Sequence, residues 1–143
     1  MKLLLWHAKY LKYKDIRYSN RPKGIHSFPM LKSDSVFNNV LLAFTCIEAD
    51  DSNEYIPIAI KEIMSVIDLV KSRRSVVLVP FAHLSSKLAG PEPALNMIYD
   101  IAKKLQENDL EVNVTSFGYH KDFEIHYEGY GHPGSVAFRS IPE

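Results

Sequence analysis

Three short, almost unbroken apolar runs, separated by two stretches with helical periodicity, fill the middle of the chain. They are Asn39–Ala49 (NVLLAFTCIEA), Ser75–Val79 (SVVLV) and Glu111–Ser116. A strand with one wet face alternates polar and apolar residues; runs like these read as strands covered on both faces. Between the first two, Ile56, Ile60, Ile63, Ile67 and Val70 recur at spacings of four and three, behind Ser52 or Asn53. Either residue can cap a helix, which the spacing carries to about Ser72. Pro91 and Pro93 open a second helix reaching about Asn108, with Leu95, Ile98, Ala102 and Leu105 on its buried stripe. Strand, helix, strand, helix, strand in that order calls for parallel strands joined by right-handed crossovers.

The ends read differently. Lys2–His7 is a short buried strand. Ala8–Leu31 is polar, with Tyr10, Tyr13, Tyr18 and two prolines, and reads as an irregular hairpin or a long loop. Asp122–Tyr127 alternates, with Phe123, Ile125 and Tyr127 on one face. Gly131-His132-Pro133-Gly134 is a turn and Ser135–Ile141 a last strand. These are antiparallel additions. The fold expected is α/β: a single mixed β-sheet with two main helices, in one domain over residues 1–143.

Composition narrows the function. The 143 residues carry 17 basic and 17 acidic side chains. A chain without net charge is not built to grip a long duplex by its phosphates, though a short single-stranded end is within its reach. Cys46 is the one cysteine, so an intramolecular disulfide and a cysteine-based zinc site are excluded. The six histidines show no H-E-x-x-H spacing, and no metal is expected. No apolar stretch approaches a membrane span, and the run from Met1 to Trp6 is too short for a signal-peptide core. The chain reads as cytoplasmic, with no membrane partner.

In an open sheet with crossovers, ligands bind beyond the carboxyl ends of the parallel strands. Two such ends are Pro80-Phe81-Ala82-His83-Leu84-Ser85-Ser86 and Phe117-Gly118-Tyr119-His120-Lys121. Pro80 and Gly118 permit tight backbone paths that expose main-chain N–H and C=O groups. Each side chain here also has a plain structural use. A histidine such as His83 often bonds a neighbouring loop, and a lysine such as Lys121, at the start of a strand, is usually solvated. Ser85-Ser86 suits a helix cap, and without a G-x-S-x-G elbow a serine triad is not indicated. Cys46 reads as a small hydrophobe and the early tyrosines as a core edge. Arg73-Arg74 ends a helix, where positive charge is favourable.

These two segments, followed by Gly131-His132-Pro133, resemble the signature of the N-terminal editing domain of archaeal threonyl-tRNA synthetases; the P-F-A-H-L-S-S run is the most specific piece. Val40-Leu41-Leu42-Ala43-Phe44 through Glu48 is similar to that family's second conserved strand, and the similarity runs along the whole chain in the same order. The resemblance implies a D-aminoacyl-tRNA deacylase-like fold and a homodimer. It implies an aminoacyl-tRNA hydrolase without a cofactor, which removes L-serine wrongly attached to threonine tRNA. Its partners would be the 3′ end of that tRNA and a threonyl-tRNA synthetase catalytic module in the same or another chain. It places Lys121 and His83 at the reacting centre. Pro80, Phe81, Ala82, Phe117, Gly118, Tyr119 and His120 would bind the terminal adenosine and the seryl group, largely through main-chain atoms. Three positions depart from the family pattern. His120 stands where a second tyrosine is common, Val136 where an acidic residue follows G-H-P, and His7-Ala8-Lys9-Tyr10 where His-Ser-Asp-Tyr is usual. Two other readings fit the same residues: a free-standing D-aminoacyl-tRNA deacylase, and a non-catalytic module that binds a tRNA end or a synthetase.

Overall fold

The computed structural model describes residues 1–18, 28–129 and 135–142, with the backbone alone at 17 and 18. The three apolar runs form β3 (Ser35–Cys46), β4 (Ser75–Pro80) and β5 (Glu111–Thr115). Helices α1 (Ile56–Ile67) and α2 (Pro91–Gln106) connect them. β3 pairs parallel with β4, and β4 parallel with β5, as the alternation of elements requires. Strands β1 (Lys2–Tyr18), β6 (Tyr119–Tyr127) and β7 (Val136–Ser140) extend the sheet in antiparallel fashion. A two-residue β2 (Leu31–Lys32) adds to the outer edge of β5. The sheet order is β2-β5-β4-β3-β1-β6, with β7 paired to β1 beside β6.

One core lies between the sheet and the helices. Leu3, Leu5, Leu41, Ala43, Val76 and Leu78 meet Ile56, Ile63 and Ile67 of α1 and Leu95, Ile98, Ala102 and Leu105 of α2. Ile60 packs at its margin. The other face carries a second cluster. Leu42, Phe44, Val77 and Val79 are covered by Trp6, Phe37, Phe81 and Leu84. Edge-to-face ring contacts of Phe44 with Trp6 at 5.3 Å and with Phe81 at 5.2 Å join this cover to the sheet. Both faces of β4, and of β3 from Val40 onward, are thus buried, which is why these sequences do not alternate.

Three expectations need correction. The loop or hairpin read over Ala8–Leu31 is, as far as Tyr18, a continuation of β1; residues 19–27 lie outside the described ones. Leu11 and Tyr13 are buried while Lys12, Lys14 and Ile16 are exposed, the period-two pattern of a strand with one wet face. The tyrosines and lysines masked that pattern. A register shift between Ala8 and Tyr10 lets β1 leave β7 and take up β6. The first helix stops at Ile67, not near Ser72, and Ser52 caps a 3-10 turn, Asn53–Tyr55, ahead of it. The alternating strand starts at Tyr119 instead of Asp122, so Lys121 sits inside β6 and not at its start. The Gly131-His132-Pro133-Gly134 turn lies outside the described residues.

Candidate active site

β3, β4 and β5 all end on one side of the sheet. Parallel pairing brings Thr45 level with Pro80 and holds Phe81 N–H against the Thr45 carbonyl at 2.9 Å. After Pro80 the chain makes a 3-10 turn over Ala82–Leu84, which presents His83 to solvent. The His83 ring stands edge-on to Phe81 at 5.0 Å. After β5, Gly118 adopts φ 83°, a conformation a side chain would strain, and the chain reverses into β6. The nine residues singled out above, Pro80–His83 and Phe117–Lys121, border a single cavity of about 680 Å³. His83 comes from the β4 side and Lys121 from β6. Tyr119 contributes its carbonyl, which accepts a hydrogen bond from Lys121 Nζ at 3.1 Å. His120 is exposed at the rim.

The cavity has further walls. Thr45, Cys46 and Ile47 line it from the end of β3, Pro91, Ala94 and Ile98 from the first turns of α2, and Leu88, Ala89 and Phe123 complete it. The β3 residues were accessible to reasoning, since parallel strands end together. The contribution of α2 follows from packing that no motif announces. Val136, the position of the absent acidic residue, pairs with Trp6 on β7, is 40% exposed and does not border the cavity.

Burial pushes the pKa of Lys121 down, and the negative charge of Asp15 opposes the shift. Burial likewise pushes the Cys46 thiol up, away from thiolate character. Cys46 is buried, and its thiol faces the Ala82 carbonyl at 3.9 Å. The small-hydrophobe reading of this residue therefore stands, although it lies on the cavity wall.

The His83 segment is tied down by a carboxylate that sequence reasoning missed. Glu48 Oε2 accepts from Ser85 Oγ at 2.6 Å, and Ser85 Oγ accepts from Lys87 N–H at 3.1 Å. Ser85 closes the 3-10 turn as its C-cap and does not open a helix, contrary to expectation. Glu48 Oε1 meets the α-ammonium of Met1 at 2.6 Å and Lys2 Nζ at 3.3 Å. Its partner Ser85 is 37 positions away, so no local signal marks the pair. Burial acts to raise the Glu48 pKa, but the bonds from the Met1 ammonium, Ser85 and Lys2 outweigh it and hold the carboxyl at about 2, against 4.5 ordinarily. A depressed carboxyl stabilises the fold fully above its unfolded pKa, and the gain disappears as pH falls through the folded one. With solvent screening of this partly exposed group, Glu48 is thus expected to contribute on the order of 1 kcal/mol that is lost between about pH 4.5 and 2. Urea unfolding across that window should show wild type losing this stability and Glu48→Gln losing much less; parallel curves would count against it.

Comparison with known proteins gives a consistent picture. Residues 1–141 match a family model described as the archaea-specific editing domain of threonyl-tRNA synthetase. A threonine–tRNA ligase of Thermococcus kodakarensis is 37% identical over 146 residues, spanning 99% of this chain and 22% of that protein. One from Staphylothermus marinus is 34% identical over 143 residues, with 99% of this chain and 22% of that protein covered. The chain therefore spans about a fifth of the length of the curated relatives it matches. Among solved structures, a c-Myc DNA unwinding element binding protein superposes over 100% of both chains with a TM-score of 0.71 at 12% identity, a likeness of fold alone.

Proposed function

The chain belongs to the archaea-specific editing domains of threonyl-tRNA synthetase, and from that premise we propose that it hydrolyses L-serine wrongly attached to the 3′-terminal adenosine of threonine tRNA. Threonine exceeds serine by one methyl group. A pocket gains only about 1–3 kcal/mol from such a group, too little for a synthetic site to reject serine well. A second, hydrolytic site that accepts serine corrects the error.

The observation that carries this reading is the convergence of Lys121, His83 and two main-chain strips on one cavity. The bond to be cut is an ester on a ribose. Hydrolysis needs a placed water and donors aimed at the oxyanion that forms on the carbonyl. Lys121 serves as that charged donor, or holds the water. As an ammonium it has no free electron pair and is not the base. His83, exposed and edge-on to Phe81, orients the water or the substrate. The vicinal ribose hydroxyl of the substrate relays the proton, which leaves no task for a carboxylate at position 136. Apolar walls at Ile47, Ala94 and Ile98 suit a small aminoacyl group and the adenine face. The balanced charge of the chain suits a module that meets only the tRNA end.

Deacylation of L-seryl-tRNA for threonine, set beside D-tyrosyl-tRNA, tests this reading. Release of serine alone is expected; release of D-tyrosine alone would indicate a D-aminoacyl-tRNA deacylase, and release of neither a binding module. The chain is also proposed to act as a homodimer. Val136 and Phe138, 40% and 52% exposed, stand opposite Trp6 and Leu4 and leave an apolar strip along β7. Sedimentation at micromolar concentration should find a dimer that Phe138→Lys dissociates; a wild-type monomer would exclude it.

A further inference from the structure

We propose that Asp15 is a positioning residue for this site: its carboxylate is the fixed counter-charge of the Lys121 ammonium and the anchor of the Phe117–Gly118 strip. The inference rests on the reading of Lys121 as the charged group of the site. Asp15 and Lys121 are directly opposed in the antiparallel β1–β6 ladder. Opposed side chains project from the same face, with Cβ atoms about 4.5–5.5 Å apart. That face carries Tyr13 and Phe123 as the next opposed pair, and Phe123 borders the cavity with Lys121.

Asp15 is held from two sides. Its Oδ1 accepts from Ser116 Oγ at 2.5 Å, and its backbone N–H donates to Asp34 Oδ1 at 2.6 Å. Ser116 is buried, between the end of β5 and the reversal at Gly118. One carboxylate on β1, the strand paired with the one that carries Lys121, thus fastens that ladder to the strip expected to present main-chain donors. Lys121 makes no direct ion pair among the described residues; its Nζ donates to the Tyr119 carbonyl. Its charge is therefore not spent in a tight contact and stays free for a ligand, while Asp15 offsets the cost of burying it. Among the described residues, the other titratable groups around the pair are Tyr13 and Asp34 beside Asp15, His83 and Cys46 across the cavity, and Tyr119 and His120 on the same strand. Asp122 and Glu124 belong to the opposite face of β6.

The consequence is a pH dependence. If the site needs Lys121 protonated, its rate falls as pH rises through the lysine pKa. Removing Asp15 must move that fall to lower pH. Asp15→Asn keeps an oxygen for Ser116 and loses only the charge; Asp15→Glu keeps the charge. The experiment is titration of the Lys121 side chain by ¹⁵N–¹³C lysine NMR in wild type and both variants, with the signal assigned from Lys121→Met, beside pH profiles of single-turnover seryl-tRNA hydrolysis. The expected result is a lower Lys121 midpoint and a lower alkaline limb in Asp15→Asn, and wild-type behaviour in Asp15→Glu. An unchanged Lys121 midpoint in folded Asp15→Asn overturns the inference, whatever the activity. Should Asp15→Asn not fold, Asp15→Ser, which also offers Ser116 an oxygen, takes its place with the same criterion. A wild type inactive on seryl-tRNA defeats the functional reading, and the NMR midpoints still decide on Asp15.

Discussion

Lys121→Met is expected to slow serine release by about 10²–10³-fold, or roughly 2.7–4 kcal/mol, the usual cost of losing one preorganised donor to an oxyanion. Methionine keeps most of the aliphatic stem, so the packing of this half-buried side chain against its strand is largely preserved. What disappears is the ammonium that reaches the cavity from β6. Lys121→Arg should also be slow, because a planar fork does not replace a compact charge whose Nζ is positioned by the Tyr119 carbonyl. Val136→Ala is the control: that side chain borders no part of the cavity, and its rate should match wild type. Single-turnover hydrolysis of L-seryl-tRNA by the three variants, with thermal melts alongside, checks the set. A wild-type rate for Lys121→Met at an unchanged melting temperature would remove Lys121 from the mechanism.

The largest expected effect on stability lies far from the cavity, at Arg73. Arg73 is buried where the chain returns from α1 towards β4. Its guanidinium donates to Glu128 Oε1 at 2.5 Å and to His7 Nδ1 at 3.0 Å. A guanidinium has no acceptor, so His7 Nδ1 accepts, and the ring proton sits on Nε2, which donates to the Val66 carbonyl at 2.8 Å. The Glu128 N–H in turn donates to the His7 carbonyl at 2.9 Å. This network joins the end of α1 to β1 and to the exit of β6. Arg73→Met takes the guanidinium away from a part-buried carboxylate and a buried ring nitrogen, and breaking such a pair from one side costs about 3–5 kcal/mol. At roughly 2–4 °C per kcal/mol for a chain of this size, the melting temperature should drop by about 6–20 °C. Arg73→Met with Glu128→Leu should recover part of the loss, since the carboxylate that the guanidinium offset is then removed with it. A single variant melting within about 2 °C of wild type would show that the pair adds nothing net.

Arg73 also shows where sequence reasoning stops. Beside Arg74 it reads as a favourable positive charge at a helix end; Arg74 is exposed and paired with Asp68 at 3.0 Å. Only the three-dimensional return of β1 and β6 makes Arg73 interior. The parallel core was legible because β4 and the part of β3 from Val40 onward are buried on both faces and leave continuous apolar runs with no other use. The second half of β1 was not, because its wet face carries Lys12 and Lys14 and its buried face a tyrosine, so polarity outweighed alternation. The candidate site was legible in part, since topology fixes which strand ends share an edge. That rule placed Pro80–His83 and Phe117–Lys121 on one cavity. It could not supply the ties that fix these segments, Glu48 to Ser85 and Asp15 to Ser116, which span 37 and 101 positions. Each is a single hydrogen bond between residue types common on any surface.

Single-turnover hydrolysis by the wild-type chain tests the central claim most directly, with L-seryl- and L-threonyl-tRNA for threonine as parallel substrates. Serine is expected to be released well above the spontaneous rate, and faster than threonine. Ester loss no faster than in buffer, for both substrates, would contradict the account.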